Sequence, residues 1–167
     1  MKKKIDVKEY AGLLDEAIGK GILLNTQDQK FNSMVIGWGH LGRIWNLPTY
    51  VVYVRESRYT LEFMNENDYF TVSIYPKEYL PDLQILGKYS GRDCDKVGMT
   101  RLTPQAVENS MTFAEASVTL VCRKMYRQFM DADAMPKDVL DTFYKDGDIH
   151  YMFIGEVVDV IENAPVN

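Results

Sequence analysis

Residues 49–63 pass without a break from a β-branched and aromatic run into a segment with helical spacing, and that junction constrains the fold more than any other stretch. Residues 49–54 have the composition of a strand. Ser57 then stands where a helix N-cap is expected, and Tyr59, Phe63 and Met64 recur at helical spacing across residues 58–66. A strand that feeds straight into a capped helix leaves free backbone N–H groups and a positive dipole end at the turn. Arg55 and Arg58 flank this turn, and Ser57 and Thr60 add hydroxyls. Arginine forks form charge-assisted, often bidentate bonds to phosphate oxygens. The junction therefore reads as an anion site suited to a phosphate.

The remaining segments surround it with strands. Residues 21–26 and 31–38 predict a β-hairpin around a turn at 27–30, with glycines at Gly37 and Gly39 where a ligand or another backbone can come close. Residues 40–48 read as a loop. Residues 69–75 alternate, with Phe70, Val72 and Ile74 on one face and Thr71, Ser73 and Tyr75 on the other. Pro76 opens a helix carrying Tyr79, Leu80, Leu83 and Leu86, with Pro81 in its first turns. Residues 94–113 read as a connection with little regular structure, 114–126 as a long strand, 136–144 as a short helix and 150–161 as the last strand. This order predicts an antiparallel-rich α+β barrel with peripheral helices rather than a doubly wound sheet.

A chain of 167 residues is expected to form one domain over 1–167. Its net charge of −5 argues against general nucleic-acid binding, since no basic stripe is present to displace counterions. The lysines Lys2, Lys3 and Lys4 are followed by no apolar stretch, and no run is long enough to span a bilayer. With Cys94 and Cys122 in unlike contexts and no ligand-spaced pair, a reduced, cytoplasmic location is expected. Cys122, on the apolar face of its strand, reads as a buried, inert thiol.

Common catalytic signatures are missing: no G-x-G-x-x-G after a strand, no phosphate-binding P-loop, no H-E-x-x-H and no C-x-x-C. Only His40 and His150 are available for imidazole chemistry. Catalysis would then borrow a cofactor. Strand 32–38, with its backbone groups and Trp38, could grip a flat heterocycle along its edge. Ser90-Gly91-Arg92 adds a cation and a hydroxyl at a close backbone approach. A phosphate grip, a planar edge and a covering loop suit flavin mononucleotide (FMN) better than a nucleoside triphosphate, for which no Mg²⁺ motif is visible.

Four segments in order, Asn32 to Gly39, Tyr53 to Thr60, Ser90 to Lys96 and His150 to Val157, resemble the flavin reductase-like family, and its flavoredoxin branch in particular. The resemblance implies an FMN-binding split β-barrel, usually a homodimer with FMN at or near the subunit interface, and NADH or NADPH as co-substrate. It implies that Asn32, Ser33, Met34 and Val35 line the isoalloxazine edge, largely through backbone groups, with Trp38 near the ring. Arg55, Ser57, Arg58, Tyr59 and Thr60 would hold the phosphate and ribityl chain, and Ser90, Gly91 and Arg92 would close over the cofactor. His150 would be the candidate catalytic residue, facing the ring or the nicotinamide side. Three positions depart from the family pattern: Val35 where threonine is frequent, Glu56 where proline is, and Leu86 where cysteine is. Glu56 puts a carboxylate beside the phosphate site, so its charge must face away. Two other functions stay open: a non-enzymatic flavin- or haem-binding module, and an electron carrier reduced by a protein partner. Core or interface packing for Trp38, a surface or interface position for His150, and local ion pairs for Arg92-Asp93 and Asp95-Lys96 are the plain alternatives at single positions.

Overall fold

The computed structural model describes residues 6–27 and 30–163. The basic start at Lys2–Lys4 and Asp28 and Gln29 of the first turn lie outside the described residues. Among the described residues nine strands and four α-helices follow one another: α1 (Lys8–Ile18), β1 (Ile22–Gln27), β2 (Phe31–Ile36), β3 (Gly39–Ile44), β4 (Leu47–Arg55), α2 (Thr60–Glu66), β5 (Tyr69–Ile74), α3 (Leu80–Lys88), β6 (Pro104–Val107), β7 (Ser110–Phe113), β8 (Val118–Phe129), α4 (Lys137–Phe143) and β9 (His150–Glu162). Short 3₁₀ turns at Lys77–Tyr79 and Ala132–Ala134 precede α3 and α4.

Seven strands form one antiparallel sheet in the order β2-β1-β5-β8-β9-β4-β3, and β6 pairs with β7 in a separate ribbon. The two outermost strands of the sheet, β2 and β3, are joined by Gly37 and Trp38 alone. Three steps of chain reach at most about 11 Å, so the sheet has to roll until its edges meet at that link. The antiparallel α+β barrel expected from the element order is what forms.

Side chains from six of these strands fill the barrel. Ile22 and Leu24, Ile36, Tyr50, Val52 and Val54, Phe70, Val72 and Ile74, Val118, Leu120 and Cys122, and Phe153 and Val157 make one apolar core. Leu14 of α1 and Leu61 and Met64 of α2 close it off. Gly155 is needed where it stands, because a Cβ there would lie 2.5 Å from Phe70 Cζ. Cys122 is buried in this core, and burial pushes its thiol pKa up, in keeping with an inert role.

Outside the barrel, α3 and the β6–β7 ribbon cover β1 and β5. Leu23, Tyr75, Leu83, Leu86, Leu102 and Phe113 pack there. Beside them lies a buried polar layer in which the Asn25 amide donates to Thr71 and Ser73, and Ser73 meets Thr112 and Thr119 at 2.9 and 3.0 Å. The Tyr75 hydroxyl sits near this layer without closing a hydrogen bond, and burial pushes its pKa up. Thr71 and Ser73 therefore face protein, not water.

Two regions differ from the sequence reading. Residues 40–48 are not a loop: β3 and β4 form a hairpin whose turn places Trp45 and Asn46 at φ of 52° and 59°. Left-handed backbone at two successive residues is the two-residue hairpin geometry, and Trp-Asn is an unusual pair to carry it. Residues 94–113 contain the β6–β7 ribbon, whose four-residue strands are too short to show a period.

Candidate functional site

Around the β4–α2 turn the two arginines separate. Arg55 ends β4 opposite His150 at the start of β9. Its guanidinium donates to the Asp148 carbonyl at 2.7 Å and the Phe143 carbonyl at 3.0 Å, lies 3.8 Å from the Asp146 carboxylate and stacks 5.4 Å from the Tyr144 ring centre. Ser57 joins this fastening: its backbone N–H donates to Asp148 Oδ1 at 3.0 Å and its hydroxyl to Oδ2 at 2.5 Å. Ser57 is thus not the N-cap. Helix α2 starts at Thr60 with Tyr59 in the cap position and no side-chain cap bond, and it spans seven residues. The Asp148 carboxylate accepts from both the Ser57 backbone N–H and its hydroxyl, which fixes Ser57 to the 143–148 loop three residues ahead of the helix start. With so short a helix, an anion here would depend on side-chain cations more than on the dipole.

Arg58 is exposed, and its guanidinium forms no hydrogen bond or ion pair with any described residue. It stands on the wall of a cleft of about 480 Å³ together with Asn32, Met34, Val35, Ser57, Tyr59, Thr60, Ser90, Gly91 and Arg92. Most of the sequence-predicted cofactor residues are therefore brought to one place, of a size usual for small-molecule sites. Asn32 is buried and donates to Thr60 Oγ1 at 2.8 Å, tying β2 to α2 across the cleft floor. At Gly91 a Cβ would stand 2.6 Å from Asn32 Oδ1, so the covering loop can approach only with glycine there. The Ser90 hydroxyl accepts from the Arg92 backbone N–H at 3.2 Å. Arg92 pairs with Glu62 at 2.6 Å and lies 5.0 Å from the Tyr59 ring centre, rather than pairing with its neighbour Asp93.

Lys96 was not among the predicted site residues. It is buried on the walls of this cleft and of an adjoining cavity of about 380 Å³, and it donates from Nζ to the Leu86 carbonyl at 2.9 Å rather than pairing with Asp95. Burial, helped by the nearby Arg58 charge, lowers its pKa to about 8. Its place in the Ser90–Lys96 segment was legible; its burial was not. Glu56 is exposed and absent from the walls of these cavities, so its charge does face away.

The other predicted residues part from the cleft. The Ser33 side chain points to the opposite side of β2, where it donates to Asn25 Oδ1 at 2.7 Å. Only its backbone can serve a ligand, and β2, as an edge strand, has one row of backbone groups without a strand partner. Trp38, Arg55 and His150 line a smaller cavity of about 150 Å³ at the seam between β2 and β3, with Met34, Val35 and Arg58 common to it and the large cleft. The Trp38 ring centre lies 4.9 Å from that of His150 and 5.4 Å from that of Phe143. His150 Nδ1 is 2.8 Å from the Tyr144 hydroxyl. Burial, then the Arg55 charge, lowers the His150 pKa to about 4, with Asp148 opposing. No histidine lies on the walls of the large cleft, so the haem alternative finds no imidazole ligand there.

The chain belongs to the flavin reductase-like domain family, whose model matches residues 26–167. No curated protein matches the sequence. Among solved structures, flavoredoxin from Methanosarcina acetivorans is similar with a TM-score of 0.67 and 23% identity, over 86% of this chain and 68% of that one. An FMN-binding protein from Thermus thermophilus with bound p-hydroxybenzaldehyde gives 0.68 and 19%, over 86% and 71%. An FMN-binding domain of a flavin reductase-like enzyme from Shewanella baltica OS155 gives 0.69 and 18%, over 95% and 75%. The shared architecture is the split barrel. Among the described residues no helix is long and apolar enough to cross a membrane.

Proposed function

We propose that this chain binds FMN in the cleft between β2, α2 and the 90–96 loop and uses it to pass reducing equivalents from NADH or NADPH to an acceptor. One observation supports this most: Arg58, whose guanidinium has no partner among the described residues, and the buried Lys96 converge on the cleft that holds most of the resemblance-derived positions. The donor set fits the group. Two cations and the Thr60 hydroxyl can meet a phosphate, the open edge of β2 can meet a flat ring, and the Gly91 approach leaves a narrow slot beside Asn32.

FMN supplies the redox chemistry when bound, because no side chain here can accept a hydride. The chain's own residues bind and orient. Arg58 and Lys96 contribute affinity through charge; Asn32 and Thr60 keep β2 and α2 at a set distance; Arg92 and Tyr59 cover the slot. Trp38 and His150 border the neighbouring space, where a second reactant could reach the ring. A homodimer fits the exposed aromatics Trp38, Trp45, Phe129 and Phe143, and a reducing cytoplasm fits the exposed free thiol of Cys94.

The test is an anaerobic titration of the FMN-loaded protein with NADH and then NADPH, following flavin absorbance. Rapid bleaching by either supports the reductase. Bleaching by dithionite alone would sink the NAD(P)H step and leave a carrier served by a protein partner. Failure to take up FMN at all would sink the whole reading.

A further inference from the structure

The contact between Tyr144 and His150 is not accounted for by cofactor binding. Tyr144 closes α4, and its ring is held from one side by Arg55, whose two donors fasten the Phe143 and Asp148 carbonyls of the same loop. Asp148 is fixed in turn by Ser57. This loop cannot drift without breaking several charge-assisted bonds, so the Tyr144 hydroxyl is presented to His150 Nδ1 at 2.8 Å in a buried position. The hydroxyl makes no other hydrogen bond among the described residues. A phenol is a better donor than acceptor, and burial raises the Tyr144 pKa, which keeps its proton in place.

We infer that Tyr144 is a positioning residue: its O–H···Nδ1 bond holds His150 in the tautomer protonated at Nε2, so that the ring offers an N–H donor to the seam cavity. The two ring nitrogens of a neutral histidine have opposite roles, and the partner of one decides what the other presents. With Nδ1 occupied as acceptor, Nε2 must carry the proton. Trp38 packs against the ring and Tyr53 meets it edge-on at 6.4 Å, which restricts its rotation. The cavity then selects ligands that bring an acceptor oxygen or nitrogen, such as a carbonyl or carboxamide, and disfavours those that bring only donors. The charged groups around the ring are Arg55, Arg58 and Asp148; Arg55 donates to the Phe143 and Asp148 carbonyls and the Asp148 carboxylate accepts from Ser57.

This inference rests on the seam cavity being part of the ligand site, and the experiment separates the two. The protein is labelled with ¹⁵N in its histidine rings, and His40→Gln removes the only other imidazole. Long-range ¹H–¹⁵N spectra at neutral pH distinguish an N–H nitrogen from an unprotonated one. The expected result is an unprotonated Nδ1 and a protonated Nε2, which become an exchanging mixture in Tyr144→Phe, a substitution that keeps the ring and its packing. A protonated Nδ1 in the parent protein overturns the inference. So does a tautomer unchanged in Tyr144→Phe, because the hydroxyl would then be dispensable. The parent spectrum needs no variant at Tyr144, so poor folding of that variant leaves the first result decisive. Addition of FMN followed by NADH or NADPH is the second arm: shifts of the His150 signals support the ligand role of the cavity. Their absence overturns the functional reading while the tautomer result stands.

Discussion

Arg55 and Arg58 sit three residues apart at one turn, yet they belong to two different regions. On the Arg55 side, the guanidinium donates to two carbonyls of the 143–148 loop and stacks on Tyr144, and Ser57 completes the fastening through Asp148. On the Arg58 side, a guanidinium without a partner among the described residues and a buried Lys96 face an open cleft. The first region is closed on itself; the second gathers Arg58, Arg92 and Lys96 on one cleft wall, with Asp93 among them. A cation marks a ligand site when its hydrogen-bonding capacity is left over after folding, and residue type alone does not reveal which of two neighbours that is.

This contrast can be broken or sharpened in five ways. The largest expected effect is in acid, on the Arg55 side. The folded His150 pKa of about 4 lies below its ordinary value of 6.5, so below 6.5 the unfolded chain takes up a proton that the folded one refuses. Stability should fall as pH drops from 6.5 to 4, by about 3 kcal/mol from this group. Denaturant melts of the parent and His150→Gln across that window should diverge in slope; parallel curves would remove His150 as the cause.

Next in size, Arg58→Ala should weaken FMN binding about 100-fold, near 2.7 kcal/mol, with an unchanged melting temperature for the free protein. Fluorescence titration and a thermal melt read the two quantities. Full FMN affinity in this variant would reverse the assignment of the two arginines. Arg55→Ala should do the opposite, costing about 2 kcal/mol of stability through its lost hydrogen bonds while FMN affinity in the folded fraction changes little.

A smaller effect is expected at Gly91→Ala, where the added methyl would press on Asn32 Oδ1 and move the covering loop. A loss of about tenfold in FMN affinity, near 1.4 kcal/mol, is anticipated. The smallest is the pH dependence of binding. Lys96, with a pKa of about 8, loses its charge as pH rises from 7 to 9. FMN affinity should decline about threefold over that range, and Lys96→Met should flatten the decline.

Much of the fold was legible because its periods are strong. Phe70, Val72 and Ile74 alternate with Thr71 and Ser73, and β5 forms where they do. The second face is covered as well: Asn25 donates to Thr71 and Ser73, and the β6–β7 ribbon meets them through Met111 and Thr112. That ribbon and β3 were missed for related reasons. Four residues per strand give no period to detect, and the Trp45-Asn46 turn lacks the glycine that announces a hairpin. Within the site, Arg58, Thr60, Asn32 and Gly91 gathered as the motifs suggested, whereas Ser57 turned to Asp148, distant in sequence by 91 positions.

By itself the sequence determined the order of the elements other than α1, β3 and the β6–β7 ribbon, the antiparallel α+β class, the family, and the set of cationic and glycine positions from which a phosphate site can be made. These depend on local spacing and residue chemistry, which are written along the chain. Only the tertiary structure decided which arginine is free, that Lys96 is buried beside it, and that Tyr144 meets His150. Each of those outcomes depends on which group folding brings to a donor, as the pairing of β4 with β9 brings Arg55 to the 143–148 loop.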